Sequence, residues 1–165
     1  MKSTTIFTNA FLLLWTISLS AQNLSDHTLG LRLGDSDGFG AEISYQKSIG
    51  RVHRAEFNLG WRDSREFDAF KLSGVYQWVH HIDGGLNWYY GFGGGLGNSD
   101  WEPVPDRDRD DGLFVFAAGN LCIEYDFDIP LLLSLDIRPE IGILGFNEFD
   151  SGFLFDIALG IRYQF

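Results

Sequence analysis

Charged side chains at alternate positions are the residues of this chain that could do chemistry together. They fall on one face of several extended segments, with basic and acidic types in equal numbers. They are Arg32, Glu42, Arg54, Glu56, Arg62, Lys71, Glu124, Asp136, Arg138, Glu140, Asp156 and Arg162. Enclosed in a narrow space, such a set could line a path for ions, or its members could pair and offset the cost of desolvation. The elements that carry them decide between these outcomes.

Other reactive side chains are too few or too poorly spaced to form a catalytic or metal site. His80 and His81 are consecutive, so on a strand they point to opposite faces and make a poor chelate. Asp106 begins an acidic stretch that lacks the glycine and glutamate of a calcium-binding loop. Nothing beside Cys122, the single cysteine, resembles an activated thiol. We therefore expect no catalytic residue, no metal ion and no cofactor.

Eight segments of alternating apolar and polar residues follow one another along the chain. Their apolar positions lie within 29–33, 39–45, 55–61, 70–78, 86–92, 113–127, 131–143 and 153–165. An alternation of period two is typical of strands with one apolar face. No helical period appears among these segments, and eight strands suit a small closed antiparallel barrel. The sequence predicts an all-β, eight-stranded, up-and-down barrel over residues 22–165.

The first 21 residues have the composition of an export signal. Lys2 gives a positive start, residues 6–19 are mostly apolar, and Ser20 and Ala21 are small. The apolar run is short for a membrane-spanning helix, which needs about 20 residues. We expect a signal peptide over residues 1–21, cleaved after Ser20 or Ala21, and export through the Sec pathway.

Alternation alone does not tell whether the apolar face points outward, as in a membrane barrel, or inward, as in a lipocalin-type barrel. Aromatic residues lie at both ends of the apolar face, Trp78 and Tyr163 at the lower end and Trp61 and Phe153 at the upper. Membrane interfaces select such girdles. The opposite face carries balanced charge, as a filled lumen requires. We therefore predict a transmembrane barrel whose paired charges close its interior, because eight strands leave room for little else.

The connections between segments differ in length. Lower turns are expected near 48–51, 82–85 and 126–130, and upper loops near 35–38, 63–68, 97–111 and 145–152. Short turns below and generally longer loops above are typical of outer-membrane barrels.

Glycines and one proline raise two questions about the barrel wall. Glycines at alternate positions from Gly91 to Gly97 face inward on the fifth strand. We expect Phe114 and Phe116 of the next strand to fill the space above them, with a ligand groove as the alternative. Pro139 removes a donor from the ladder of the seventh strand, so a bulge or a position at the upper rim is expected there.

The chain resembles the small outer-membrane β-barrel family, in the group of OmpA-type and OmpX-type barrels and among the small barrels of Bacteroidetes-type bacteria. The likeness is carried by the export signal, by the segment 130–140, and by an ending that alternates from Ile157 to Tyr163 and Phe165. It implies the outer membrane of a Gram-negative bacterium, with lipid and lipopolysaccharide as neighbours. It also implies that Tyr163 and Phe165 form the signal read by the barrel-assembly machinery.

Charge and composition narrow the classes of partner and function. A net charge of −11 argues against nucleic acid. We expect a monomeric barrel with a structural or surface-interaction role. A narrow pore, or a lateral path for small hydrophobic molecules, is the alternative. A lipid A-modifying enzyme is disfavoured because all four histidines lie in the first half of the chain.

Overall fold

In the part of the chain that the structure describes, eight antiparallel strands form a closed sheet. The computed structural model describes residues 24–34, 40–63, 67–101, 112–145 and 153–165. The strands are β1 (His27–Gly34), β2 (Ala41–Ser48), β3 (His53–Asp63), β4 (Phe67–Asp83), β5 (Leu86–Trp101), β6 (Gly112–Asp126), β7 (Leu131–Leu144) and β8 (Phe153–Gln164). Each strand pairs with the next, and β8 pairs with β1. The expected up-and-down barrel is confirmed.

Several expectations fall on parts of the chain that are not described. The signal peptide over 1–21 and the acidic stretch that begins at Asp106 lie outside the described residues. The backbone of Arg62 belongs to β3, but its side chain also lies outside them. Within the described ranges, no helix is long and apolar enough to cross a membrane.

The barrel closes where its first and last strands meet. Leu29 lies opposite Tyr163, and Leu31 opposite Ile161. Gly30 permits this seam, because a Cβ there would collide with the carbonyl oxygen of Ile161. We call the end of the barrel that carries the start of β1, the end of β8 and the connections at 49–52, 84–85 and 127–130 the lower end.

Two strands extend further at the upper end than the sequence predicted. The loop expected near 97–111 was placed too early, since β5 continues to Trp101, which pairs with Phe67. The connection expected near 63–68 lies between the end of β3 at Asp63 and the start of β4 at Phe67, so it was placed correctly to within two residues. The end of β5 is rich in Gly, Asn and Ser, which indicate turns when they are read singly. Here each residue lies beside a partner strand, so backbone pairing continues beyond the apolar pattern.

Apolar side chains cover the outside of the barrel, and mostly polar ones fill it. On the outer face Leu31, Ile123 and Leu135 remain 47%, 57% and 55% exposed. Arg32 and Arg138, on the inner face, are fully buried. A soluble lipocalin-type barrel has the opposite arrangement. The outward assignment of the apolar face is therefore confirmed.

Pro139 is accommodated in a way that the sequence did not predict. It pairs with Phe155 of β8 but is left out of the β6–β7 ladder. A Cβ at Gly119 would lie 3.2 Å from the Pro139 ring, so the glycine makes room for it. The register shift of this ladder lies elsewhere, between Val115 and Phe116. The expectation of a bulge or a rim position at Pro139 was wrong. Proline has no N–H to donate, and the β6–β7 ladder accommodates it by omitting the pairing at this position.

Candidate functional site

Glu42 of β2 is a centre of the buried charge network. Its Oε2 accepts hydrogen bonds from Arg138 Nη1 at 3.1 Å and from Arg32 Nη1 at 3.4 Å. Its Oε1 lies 3.2 Å from Lys71 Nζ, and Lys71 also donates to Glu140 at 3.0 Å. One carboxylate therefore ties β1, β4 and β7 to β2 across the lumen.

Arg32 joins this centre to two further carboxylates. Its Nε and Nη2 donate to Asp136 Oδ1 at 3.0 and 2.7 Å. Its Nη1 donates to Asp156 Oδ2 at 2.5 Å. Hydrogen bonds between a guanidinium and a carboxylate are stronger than neutral ones and fix the geometry of both groups. The Arg32 guanidinium thereby forms ion pairs with three carboxylates at once, those of Glu42, Asp136 and Asp156.

Glu56 of β3 is saturated by four donors. Its Oε1 accepts from Arg138 Nη2 at 3.0 Å and from Arg162 Nη2 at 3.3 Å. Its Oε2 accepts from Gln46 Nε2 at 2.7 Å and from Gln77 Nε2 at 2.8 Å. A carboxylate offers about four lone-pair positions. Every one of them is used here, as a fully buried carboxylate requires.

Arg54 and Glu124 form a second pair nearer the lower end. Arg54 Nη2 donates to Glu124 Oε2 at 2.8 Å, and its Nη1 donates to Oε1 at 3.3 Å. The guanidinium lies 4.7 Å from the centre of the Tyr89 ring, a favourable position for a cation. Its Nε donates to Gln77 Oε1 at 2.8 Å. Because Gln77 also binds Glu56, the lower pair belongs to the same network.

Neutral side chains that the sequence analysis did not single out complete the network. Arg162 Nε donates to Ser44 Oγ at 2.9 Å, and its Nη1 donates to Ser134 Oγ at 2.6 Å. Asn120 Nδ2 donates to Asp136 Oδ1 at 3.3 Å. These residues occupy the same alternate positions as the charges, so the alternation of the strands could have identified them.

The structure brings eleven of the twelve predicted charged residues into one connected set, and the side chain of Arg62 lies outside the described residues. Five cations face six carboxylates in this set. Mutual neutralisation and hydrogen bonding offset the desolvation of buried ions. An arrangement of this kind fills space and fixes the strands around it.

Aromatic rings close the lumen above the network. A Cβ at Gly95 would lie 2.5 Å from Phe116 Cζ, and one at Gly97 would collide with the Phe114 ring. Both rings are buried together with Ala69 and Ala118, and Leu154 packs against them. The expectation that these phenylalanines fill the space above the glycines is confirmed. The upper end of the described lumen is therefore apolar and packed.

The residues predicted as the assembly signal lie at the lower end of the seam between β1 and β8. Tyr163 and Phe165 are exposed on the outer face, and their rings stack with centroids 6.4 Å apart. The Phe165 N–H donates to the His27 carbonyl at 3.0 Å, and the two rings stack at 5.7 Å. The pair is thus accessible from outside the barrel and lies at the end of the strand that closes it.

The other reactive residues are placed apart from one another. The His80 ring stacks on Trp88 outside the barrel, with centroids 4.7 Å apart. His81 Nδ1 lies 3.0 Å from Asn87 Oδ1, so the two histidines face opposite sides as predicted. Cys122 is buried. Within the described part of the chain, no group of three or more His, Cys, Asp or Glu side chains is placed to hold a metal ion.

Comparison with known proteins identifies the fold. No protein-family model matches the chain, and no curated protein matches it. Ail, the attachment invasion locus protein of Yersinia pestis, matches with a TM-score of 0.55 at 13% identity, over 86% of this chain and 97% of that chain. Neisserial surface protein A matches with a TM-score of 0.53 at 11% identity, over 84% of this chain and 94% of that chain. The chain has the fold of the small outer-membrane β-barrels. Identities this low establish the fold of the barrel and no role for any single residue.

Proposed function

We propose that this chain is an integral outer-membrane β-barrel of a Gram-negative bacterium, with a closed lumen and a structural or surface-interaction role. The observation that carries the proposal is the distribution of side chains, with Leu121 and Ile143 exposed outside and Arg32 and Glu56 buried inside. An apolar outer wall suits contact with lipid, and a closed barrel satisfies its backbone groups internally.

Closure of the lumen favours a non-conducting role over the narrow-pore alternative. Phe114 and Phe116 pack across the upper part, the ion pairs centred on Glu42 cross the middle, and Arg54 pairs with Glu124 below. Opening a continuous water path would separate buried ions from their partners, which is costly. The same packing places the rings of Phe116 and Phe114 over Gly95 and Gly97, which also disfavours the lateral path.

The surface-interaction part of the proposal rests on charge and on one comparison. The name of the Yersinia protein connects a barrel of this fold with attachment, and we carry that class of role over to this chain. Its net charge is −11, and four aspartates lie between residues 106 and 111, in the connection from β5 to β6. Such a connection favours encounter with positively charged ligands or surfaces.

Planar-bilayer recording on the refolded barrel tests whether the lumen is closed. We expect no stable unit conductance from the unaltered protein. Arg138→Gln, inside the lumen, and Lys47→Gln, on the exposed side of β2, form a matched pair of charge changes. A stable unit conductance that responds to Arg138→Gln and not to Lys47→Gln would contradict the closed lumen and support the pore.

The proposal also covers location and partners. It includes export by the Sec pathway, insertion by the barrel-assembly machinery, contact with lipid and lipopolysaccharide, and a monomeric state. Cell fractionation and gel mobility before and after heating test it, because a folded barrel and its heated chain migrate differently. Recovery in the soluble fraction, or one mobility in both samples, would argue against an outer-membrane barrel.

A non-enzymatic role is part of the same proposal. Lipid A from cells with and without the gene is expected to have the same acyl composition by mass spectrometry. A change in the number of acyl chains would favour the lipid A-modifying enzyme instead.

A further inference from the structure

A short segment that precedes β1 covers the lower mouth of the lumen. Leu24 of this segment packs against a buried cluster formed by Val79, Tyr89 and Cys122. These three residues belong to β4, β5 and β6, on the inner wall, where Cys122 lies opposite Asp136 and Tyr89 lies against Arg54. Leu24 therefore reaches from the segment before β1 into the lumen, where it lies against an apolar surface.

Two spaces of very different size lie on the two sides of this segment. The outer one is an open groove of about 630 Å³, lined by residues that include Asp26, Ile129 and Phe165. The inner one is a cavity of about 20 Å³ beside Arg54 and Glu124, enough for roughly one water molecule. Leu24, Ser25 and Gln164 line both spaces. They form the wall between them.

The attachment of this wall is uneven. At its C-terminal side the Asp26 carbonyl accepts a hydrogen bond from the Ser48 N–H at 3.0 Å, which continues the β-sheet. Gln164 Nε2 donates to Asp126 Oδ1 at 3.0 Å across the mouth. Leu24 is held by apolar contact with the cluster around Cys122. Undocking one apolar side chain costs much less free energy than separating the buried ion pairs above it. Segments that are held by few buried contacts open locally.

We infer that residues 24–26 form a lid on the lower mouth of the barrel and that Leu24 is its stopper. With Leu24 docked, the inner cavity is separated from the outer groove. With Leu24 withdrawn, the cavity beside Arg54 and Glu124 joins the groove, and small hydrophilic molecules reach the lower part of the lumen. The central network stays closed above this chamber, so the lid controls access to a dead-end chamber and not to a pore. This inference does not depend on the biological role proposed above.

Cys122 makes the lid testable, because it is the only cysteine of the chain and belongs to the buried cluster against which Leu24 packs. The purified, folded protein in detergent is treated with a small charged methanethiosulfonate, and the labelled fraction is followed by mass. We expect Leu24→Asp to accelerate labelling of Cys122 by about tenfold or more, because a docked leucine is replaced by a side chain that prefers water. Ile129→Asp, which changes the outer groove but not the stopper, is expected to leave the rate unchanged.

A second reporter separates a local opening from a general loosening of the barrel. Ala118→Cys, in a Cys122→Ala background, places a thiol in the packed upper cluster. Leu24→Asp is expected to leave the labelling rate of that thiol unchanged. The lid is refuted if Leu24→Asp accelerates neither thiol, if it accelerates both alike, or if Ile129→Asp exposes Cys122 as much as Leu24→Asp does.

Discussion

The side chains of Arg32 and Asp136 meet inside the barrel although 104 positions separate them in the sequence, with Arg32 Nη2 donating to Asp136 Oδ1 at 2.7 Å. Arg32 lies on β1 and Asp136 on β7, and β8 lies between these strands in the sheet. The pair therefore spans a neighbouring strand through the lumen. It links β1 to β7 beside the seam where the barrel closes.

Removal of Arg32 is expected to destabilise the folded barrel strongly. Arg32→Met leaves Asp136 and Asp156 buried without their shared cation, and the loss of one partner of a buried ion pair costs about 3–5 kcal/mol. The free energy of unfolding, measured by urea titration in lipid vesicles, is expected to fall by that amount. Lys47→Met, on the exposed side of β2, is expected to change it little.

The double variant Arg32→Met/Asp136→Leu examines whether the pair itself is the cause. Since removal of both partners leaves fewer unpaired buried charges than removal of one, part of the lost free energy is expected to return. Strictly additive losses in the two single variants and the double variant would show that Arg32 and Asp136 are not coupled.

The close packing over β5 gives a second prediction. Gly95→Ala places a Cβ 2.5 Å from Phe116 Cζ and closer still to the carbonyl oxygen of Leu72. Because the strand backbone cannot yield as a flexible side chain does, we expect a loss of about 1–3 kcal/mol in the free energy of unfolding. Gly112→Ala, where a Cβ meets nothing within 4 Å, serves as the control. Equal losses in both variants would mean that the cost comes from glycine itself and not from this contact.

The fold could be predicted from the sequence because alternation of period two is a local property repeated eight times. The terminal strand shows this best, since the apolar residues at odd positions from Phe153 to Phe165 all lie on the outer face, while Leu154 and Ala158 face the lumen. Strand ends were harder to place. Trp101 extends β5 well beyond the predicted boundary because a paired partner, Phe67, is supplied from a distant part of the chain.

The charge network could be predicted in membership but not in pairing. The alternation along each strand places Glu42 and Glu56 inside the barrel. That Arg138 binds both of them depends on how the strands are arranged in the closed barrel. Neutral members of the network such as Gln77 were missed, because the sequence analysis selected inward-facing residues by their charge. Leu24 lies before the first alternating segment, so no periodic pattern marks it. Its position depends on the apolar cluster that three later strands build.

Phe165 is predicted to act in barrel assembly, and this role can be distinguished by experiment from that of an aromatic residue that only contacts the membrane interface. Phe165→Ala is expected to lower the amount of heat-modifiable barrel in the outer membrane several-fold in cells, because the terminal strand loses its last aromatic residue. After refolding in vitro the same variant is expected to lose only about 0.5–1.5 kcal/mol, the worth of an aromatic stack such as that with His27.

Phe127→Ala is the matched control for assembly. Phe127 is also an exposed aromatic residue at the lower end, and it packs against Tyr125 with ring centroids 4.7 Å apart. If its loss reduces the amount of assembled barrel as much as that of Phe165 does, the two residues act only as girdle aromatics.

A charge on the outer wall tests what surrounds the barrel. Leu159 lies between Leu33 and Leu135 on its two neighbouring strands, and all three are exposed. In a lipid bilayer Leu159→Arg is expected to cost about 2–4 kcal/mol, whereas Ile129→Arg, in the lower turn, is expected to cost about 0–1 kcal/mol because an interfacial arginine reaches water. Urea titration of both variants in vesicles measures the difference. Equal, small effects would mean that Leu159 faces water, and that would remove the main physical support for a membrane-spanning barrel.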